Sequence, residues 1–437
     1  MSGKIRRVLY LAAHGGFAGQ AIPLGGGAAV VNLLQAEWAA AQPFELELIG
    51  PAVLGATAPG GREIVGFDER QYAAFCLAFS AAATREVLRH DPSETAVLVN
   101  DISEGPDFGR LRAAGFRIVT VYHVDVVAYI AAIYLRGWLA PAKLTRTWEW
   151  ARRLRLDRVA PPILRLIFAQ QRASLEHSDI VVVPSSGMKE ILLECYPGTP
   201  AERIQVLPWG APPAECGRSE AQAAAVELRR EFQVPEKAQV LLCLSRISPE
   251  KGQDRLLEAL AEWEQSRGMP SRPLWLFVCG EPAFMQGQRH MDRLRRLAAQ
   301  LRRVKVVFPG YATGARKEGF FALSDLYVFP SRHESYGLTL MEALAAGLPA
   351  VCLDHQGSRE VMRAEMGRML GEGESLWRAI AEILADDAGR RAMGEAAAEY
   401  AAARPFSASA ARLAEWLKGG DEARGERVIA SVPERFR

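Results

Sequence analysis

The amino-acid sequence predicts an α/β protein made of two Rossmann-like halves, each a parallel sheet with helices on both faces. Three observations lead there. Short apolar runs bounded by turn residues alternate with stretches of helical periodicity, the pattern of strand–helix–strand units. The alternation stops in a Pro- and Ala-rich passage through Pro212, Pro213 and Gly217, then restarts at Val240. At 437 residues the chain also exceeds what one core usually holds, so about two or three domains are expected.

In the first half, strands are expected at Val8 to Leu11, Leu46 to Ile49, Ala96 to Val99, Arg117 to Tyr122, Ile180 to Val183 and Ile204 to Leu207. The first of these leads through a glycine-bearing loop to a helix starting near Gly25-Gly26-Gly27-Ala28. In the second half they are expected at Val240 to Leu244, Trp275 to Val278, Lys305 to Phe308, Leu326 to Phe329 and Val351 to Leu353. A helical pattern from Asp254 to Trp263 follows the first of these, and a short helix from Leu338 to Ala346 is stopped by Gly347 and Pro349. The domains are set at 1–208 and 209–405, with 406–437 as a separate C-terminal piece. The shared strand-loop-helix opening is weak evidence of a repeat, because no residue-level period supports it. From Lys418 onward, Gly and mixed charge point to a loosely ordered tail.

Composition excludes several classes. An apolar fraction of 49% and a charged fraction of 24% are ordinary for a soluble globular protein, and a net charge of +2 implies no nucleic-acid partner. Cys76, Cys195, Cys216, Cys243, Cys279 and Cys352 are scattered, with neither zinc spacing nor a disulfide framework, as in a reduced, cytoplasmic protein. The basic residues Lys4, Arg6 and Arg7 precede one strand-length apolar run that meets His14-Gly15-Gly16, which is no export signal. The run Val126 to Leu135 falls far short of the ~20 residues needed to cross a bilayer.

Four clusters carry chemistry. Glu334 and Glu342 bracket the junction between the strand ending at Phe329 and the helix from Leu338. The first amides of that helix, near Tyr336 to Leu338, lack intrahelical acceptors and favour an anion. The two carboxylates can flank a bound phosphate and accept hydrogen bonds from hydroxyls. Taken alone, such a pair also fits two solvated charges. Arg246 and Lys251 follow the strand Val240 to Leu244, where ligands of open α/β sheets collect, and could neutralise a diphosphate; the plain alternative is two loop charges.

Gly26 and Gly27 let backbone approach a ligand closely, or simply end a flexible loop. His14 to Leu24 separate them from the first strand, so this is no dinucleotide fingerprint and a nicotinamide oxidoreductase is disfavoured. His123 stands at the end of the strand Arg117 to Tyr122, with Asp125 two residues on; a lone histidine there is more often structural.

The segment Ser324-Asp325, Pro330-Ser331, Glu334, Gly337, Glu342-Ala343, Gly347-Leu348-Pro349 and Gly357-Ser358-Arg359-Glu360 resembles, in order and spacing, the signature of the retaining nucleotide-sugar glycosyltransferases of family 4. The resemblance implies the GT-B architecture, two Rossmann-like domains facing a central cleft, with a last helix, here Phe406 to Leu417, returning to the first domain. It implies transfer of a sugar from a UDP- or GDP-linked donor to a hydroxyl of a glycan, lipid-linked or small-molecule acceptor, with anomeric configuration retained. The roles it implies are catalytic for His123, Arg246, Lys251 and Glu334. For Gly26, Gly27, Ser335, Tyr336, Gly337, Leu338 and Glu342 it implies donor binding. No metal or other cofactor is expected beside the nucleotide-sugar co-substrate, since no Asp-x-Asp pair stands at the site. Two departures are Trp209-Gly210-Ala211, where the family often has Asn-Gly-Val, and a single Gly280 where it often has two.

Residues 129–158 interleave Tyr134, Trp138, Trp148 and Trp150 with Arg136, Lys143, Arg146, Arg152, Arg153 and Arg155. Such a stretch fits peripheral contact with an anionic membrane, at the inner face for a cytoplasmic protein, or a surface helix pair whose apolar face packs inward. The alternatives to a transferase are a nucleotide-sugar epimerase of the same fold and a non-enzymatic nucleotide-sugar-binding protein.

Overall fold

The computed structural model describes residues 5–17, 20, 22, 25–131, 138–266, 268–269, 271–283 and 286–419. In the first half these form β1 (Arg7–Leu11), β2 (Glu45–Ile49), β3 (Thr95–Val99), β4 (Arg117–Val121), β5 (Ile180–Val183) and β6 (Ile204–Val206). All pair in parallel, in the order β2-β1-β3-β4-β5-β6. The second half forms β7 (Gln239–Leu244), β8 (Leu274–Cys279), β9 (Val304–Gly310), β10 (Leu326–Phe329), β11 (Ala350–Leu353) and β12 (Gly367–Leu370). Its sheet is also parallel, in the order β12-β11-β10-β7-β8-β9.

Central strands of a helix-covered parallel sheet are buried on both faces, so they read as unbroken apolar runs. β3, β8 and β10 are buried throughout, which is why Leu274-Trp275-Leu276-Phe277-Val278-Cys279 stands out in the sequence. β12 escaped the sequence reading for the opposite reason. Gly367-Arg368-Met369-Leu370 exposes its two middle residues and pairs only with β11 at the sheet edge.

The chain divides into two compact units. The described residues of 1–18, 26–208 and 407–437 form one, and those of 19–25 and 209–406 the other. Grouping 19–25 with the second unit departs from the boundary expected at 208. Gly25 explains it: a Cβ there would stand 3.2 Å from the Arg246 guanidinium carbon. The helix Phe406–Leu417 packs within the first unit, where the indole of Trp38 donates to Ala410 O at 3.0 Å and Arg117 donates to Trp416 O at 3.0 Å. The tail past Gly419 lies outside the described residues.

In each sheet the strand order reverses once, between β1 and β3 in the first and between β7 and β10 in the second. Loops leaving the carboxyl ends of two such strands diverge and open a crevice, the usual ligand position in open α/β sheets. Arg246 leaves β7 and Glu334 leaves β10; Asn100 leaves β3.

Candidate functional site

In the second unit, β7 runs into Ser245-Arg246, a turn at Pro249–Lys251 and the helix Gln253–Gln265. β10 runs through Pro330 to Tyr336 into the helix Leu338–Ala345, one residue shorter than expected. Gly337 caps that helix at φ 102°, a left-handed conformation that a side chain would strain. The two loops are tied together: Arg332 N donates to Glu250 O at 2.7 Å, and its guanidinium forks onto both oxygens of Asp254 at 2.7 and 2.9 Å. That clamp sets Lys251 against Glu334.

The Lys251 ammonium donates to Glu334 Oε1, which also accepts from Ser331 Oγ at 3.2 Å. Burial pushes the Glu334 carboxyl up, but Lys251, with Arg246, outweighs burial and holds it below its ordinary value. It is ionised. Arg246 lies 3.6 Å from Glu250 Oε1, an oxygen that also accepts from Ser248 Oγ at 2.6 Å. Two cations and the start of a helix thus share one end of the sheet, as an anionic ligand needs. Ser335 is buried, and the Tyr336 hydroxyl accepts from Gly210 N at 3.0 Å, so the phenol is spent on the fold and the backbone is what Tyr336 brings to the loop.

Glu342, one turn into the helix, is held by a residue the sequence reading missed. Lys317, on the helix Gly314–Leu323, is 7% exposed and donates to Glu342 Oε1 at 2.9 Å and to Glu215 Oε1 at 2.6 Å. Nothing in a single lysine on a surface-like helix signals such a role.

Gly26, Gly27 and His123 belong to the first unit. The glycines open the helix Gly26–Ala41, and a Cβ on Gly27 would stand 3.3 Å from the His123 ring. His123 Nε2 lies 2.9 Å from Asn100 Oδ1, which also accepts from Tyr10 OH at 2.6 Å, while Asn100 Nδ2 donates to Asp101 at 3.0 Å. Burial lowers the His123 pKa, opposed by Asp101. His14 lies 3.6 Å from Asp101 and 3.9 Å from Glu104, and Tyr72 donates to Glu104. Sequence reasoning gave no role to His14, Asn100, Asp101 or Glu104, although each follows a strand end in the first sheet. Asp125 is a helix cap: its Oδ1 accepts from Val127 N at 3.0 Å and Ala128 N at 3.1 Å.

Of residues 129–158, those numbered 132–137, with Tyr134 and Arg136, lie outside the described residues. The rest shows two faces. On the helix Pro141–Arg153, Ala142 and Thr145 are buried, and Trp148 stacks on Phe168 with ring centroids 4.4 Å apart. Trp138 (96% exposed), Trp150, Leu154, Leu156 and Val159 (90% exposed) face outward among Arg152, Arg153, Arg155 and Arg158. No helix among the described residues is long and apolar enough to cross a membrane.

Two parallel sheets of this order, with charged loops at the switch points, define the GT-B class of α/β folds. Residues 226–400 match the family model for glycosyl transferases group 1. A GDP-mannose-dependent alpha-(1-6)-phosphatidylinositol monomannoside mannosyltransferase of Mycobacterium tuberculosis is 30% identical over 260 residues, 56% of this chain and 63% of that protein. A D-inositol 3-phosphate glycosyltransferase of Thermobispora bispora is 30% identical over 292 residues, 64% of this chain and 66% of that protein. The chain thus spans under two thirds of the length of these relatives. Among solved structures, a sucrose-phosphate synthase from Thermosynechococcus elongatus superposes with a TM-score of 0.69 at 18% identity, covering 95% of this chain and 98% of that one. WaaG, a glycosyltransferase involved in lipopolysaccharide biosynthesis, superposes at 0.63 and 18% identity, covering 94% and 100%.

Proposed function

We propose that the protein is a glycosyltransferase that moves a sugar from a UDP- or GDP-linked donor to an acceptor hydroxyl, with anomeric configuration retained. The observation that supports this most is the meeting of Arg246, the Lys251–Glu334 pair and the start of the helix Leu338–Ala345 at the β7/β10 switch point. When the bond from the anomeric carbon to the phosphate oxygen breaks, negative charge grows on the diphosphate. Arg246, Lys251 and the backbone amides around Gly337-Leu338 would stabilise it, each well-placed donor contributing about 3 kcal/mol. The acceptor oxygen takes the anomeric carbon, and its proton leaves with the diphosphate. Glu334 would accept from sugar hydroxyls and Glu342 from ribose hydroxyls, while His123, with Gly26 and Gly27 beside it, would position a substrate hydroxyl. In this reading fixed cations do the work of a metal, so EDTA leaves the rate unchanged.

The acceptor is a hydroxyl-bearing polyol or a lipid-linked glycan, in line with the inositol phosphate and phosphatidylinositol mannoside named for the relatives. The outward Trp150, Leu154, Leu156 and Val159 with four arginines would rest on anionic headgroups and hold the protein at a membrane surface. Incubation with UDP-glucose or GDP-mannose and an acceptor, with NMR of the product, tests the reading. It requires a new glycoside with the donor's anomeric configuration. Conversion of the donor without any acceptor would instead indicate an epimerase.

A further inference from the structure

His355 follows β11 and caps the helix Gln356–Val361. Its Nδ1 accepts from Ser358 N at 3.1 Å, and its own amide donates to Ser358 Oγ at 2.9 Å. A ring nitrogen that accepts a hydrogen bond carries no proton, so the neutral ring holds its proton on Nε2. Burial keeps the ring neutral, with a pKa lowered to about 4; the charged and titratable groups acting on it are Glu334, His333, Lys251 and Asp354. Nε2–H is therefore a buried donor, and it has no hydrogen-bond partner among the described residues.

A buried donor left unmet costs about 1–3 kcal/mol, so an acceptor in some functional state is to be expected. The nitrogen is closed off from solvent, so an acceptor has to come from the groups packed around the ring. Glu334 fits. Its carbonyl accepts from Gly357 N at 3.1 Å, two residues from His355, and its charge is the strongest acting on the ring. Its carboxylate is engaged elsewhere, by Lys251 and Ser331.

We propose that Glu334 exchanges partners, giving up Lys251 and accepting Nε2–H of His355, when a diphosphate draws the Lys251 ammonium away. The exchange rests on the reading of Lys251 as a diphosphate-binding residue. A diphosphate carries more charge than one carboxylate and competes for the ammonium. The carboxylate it releases would be buried and unpaired, which is strongly unfavourable. A neutral donor already fixed in its tautomer by Ser358 meets that carboxylate without adding charge. His355 is then a positioning residue that keeps Glu334 ionised and still while its other oxygen faces a sugar hydroxyl.

The test is nitrogen-15 NMR of the full chain labelled at histidine, with His355 assigned by His355→Asn, which keeps a capping side chain but lacks Nε2–H. The expected apo spectrum shows Nε2 protonated and Nδ1 bare. UDP or GDP should then move the Nε2 proton downfield, Lys251→Met should give the same shift without nucleotide, and Glu334→Ala should abolish both. Lys251→Gln serves if Lys251→Met does not melt cooperatively. A proton found on Nδ1, or an unmoved signal in both the nucleotide titration and a folded Lys251 variant, overturns the exchange. A shift in the Lys251 variant with no response to any nucleotide upholds the exchange and removes the diphosphate reading instead.

Discussion

Lys317 Nζ stands 2.9 Å from Glu342 Oε1, so the carboxylate expected to hold ribose is itself held by a buried ammonium. Burial pulls the Lys317 pKa down, but Glu342 and Glu215 outweigh it and the ammonium stays charged. Burial also leaves the Glu342 carboxyl above its ordinary value in spite of Lys317. Removing one partner of such a pair leaves the other buried and uncompensated. Lys317→Met should therefore lower unfolding free energy in urea by roughly 3–5 kcal/mol, and Lys317→Met with Glu342→Leu should recover much of it. Strict additivity of the two substitutions would mean that the contact contributes nothing.

Arg246 offers a planar fork, which a lysine cannot copy. Arg246→Ala should cut kcat by roughly 100- to 1000-fold, the usual effect of removing one preorganised donor at a developing oxyanion. Arg246→Lys should restore only part of the rate. Steady-state transfer assays decide; a change confined to the acceptor KM would place Arg246 outside the donor's diphosphate site.

The pH dependence of stability has a definite sign at His355. Its folded pKa of about 4 lies below the ordinary 6.5, so as pH falls through that window the unfolded chain binds a proton that the native state refuses. Stability should drop by about 3 kcal/mol across it from this residue. His355→Asn keeps the cap and should flatten that part of the curve, measured as urea unfolding at pH 7 and at a pH near 4.5. An unchanged difference between the two pH values would show that the folded ring takes up its proton as readily as the unfolded one.

The outward basic face between Trp150 and Val159 makes a salt-dependent prediction. Flotation with vesicles containing anionic lipid should carry the protein, and each of Arg152→Glu, Arg153→Glu and Arg155→Glu should weaken binding by about 1 kcal/mol. Equal partitioning onto neutral vesicles, or none onto anionic ones, would leave the face without a membrane role.

Much of the fold was legible because buried parallel strands have nothing but apolar residues to show, as at Leu274–Cys279. β12 was not, since one neighbour and two exposed residues leave it almost no pattern. At the site, the motif from Ser324 to Glu360 located Glu334, Gly337 and Glu342 through turn chemistry and spacing that are local in sequence. Their partners were hidden because they are distant in sequence: Lys317 comes from another helix, Asp254 reaches Arg332 across 78 positions, and Asn100 meets His123 across 23. Asp125 shows the converse, since proximity to His123 in sequence drew attention to a residue whose work is to cap a helix.

The central claim is that cations at the β7/β10 switch point hold a nucleoside diphosphate. Calorimetric titration of UDP, GDP and ADP into the wild type and into Arg246→Ala tests it most directly. One nucleotide should bind the wild type and raise its Tm, with at least tenfold weaker binding to Arg246→Ala, about 1.4 kcal/mol or more. Absence of binding by all three, or equal affinity for the folded variant, would contradict it.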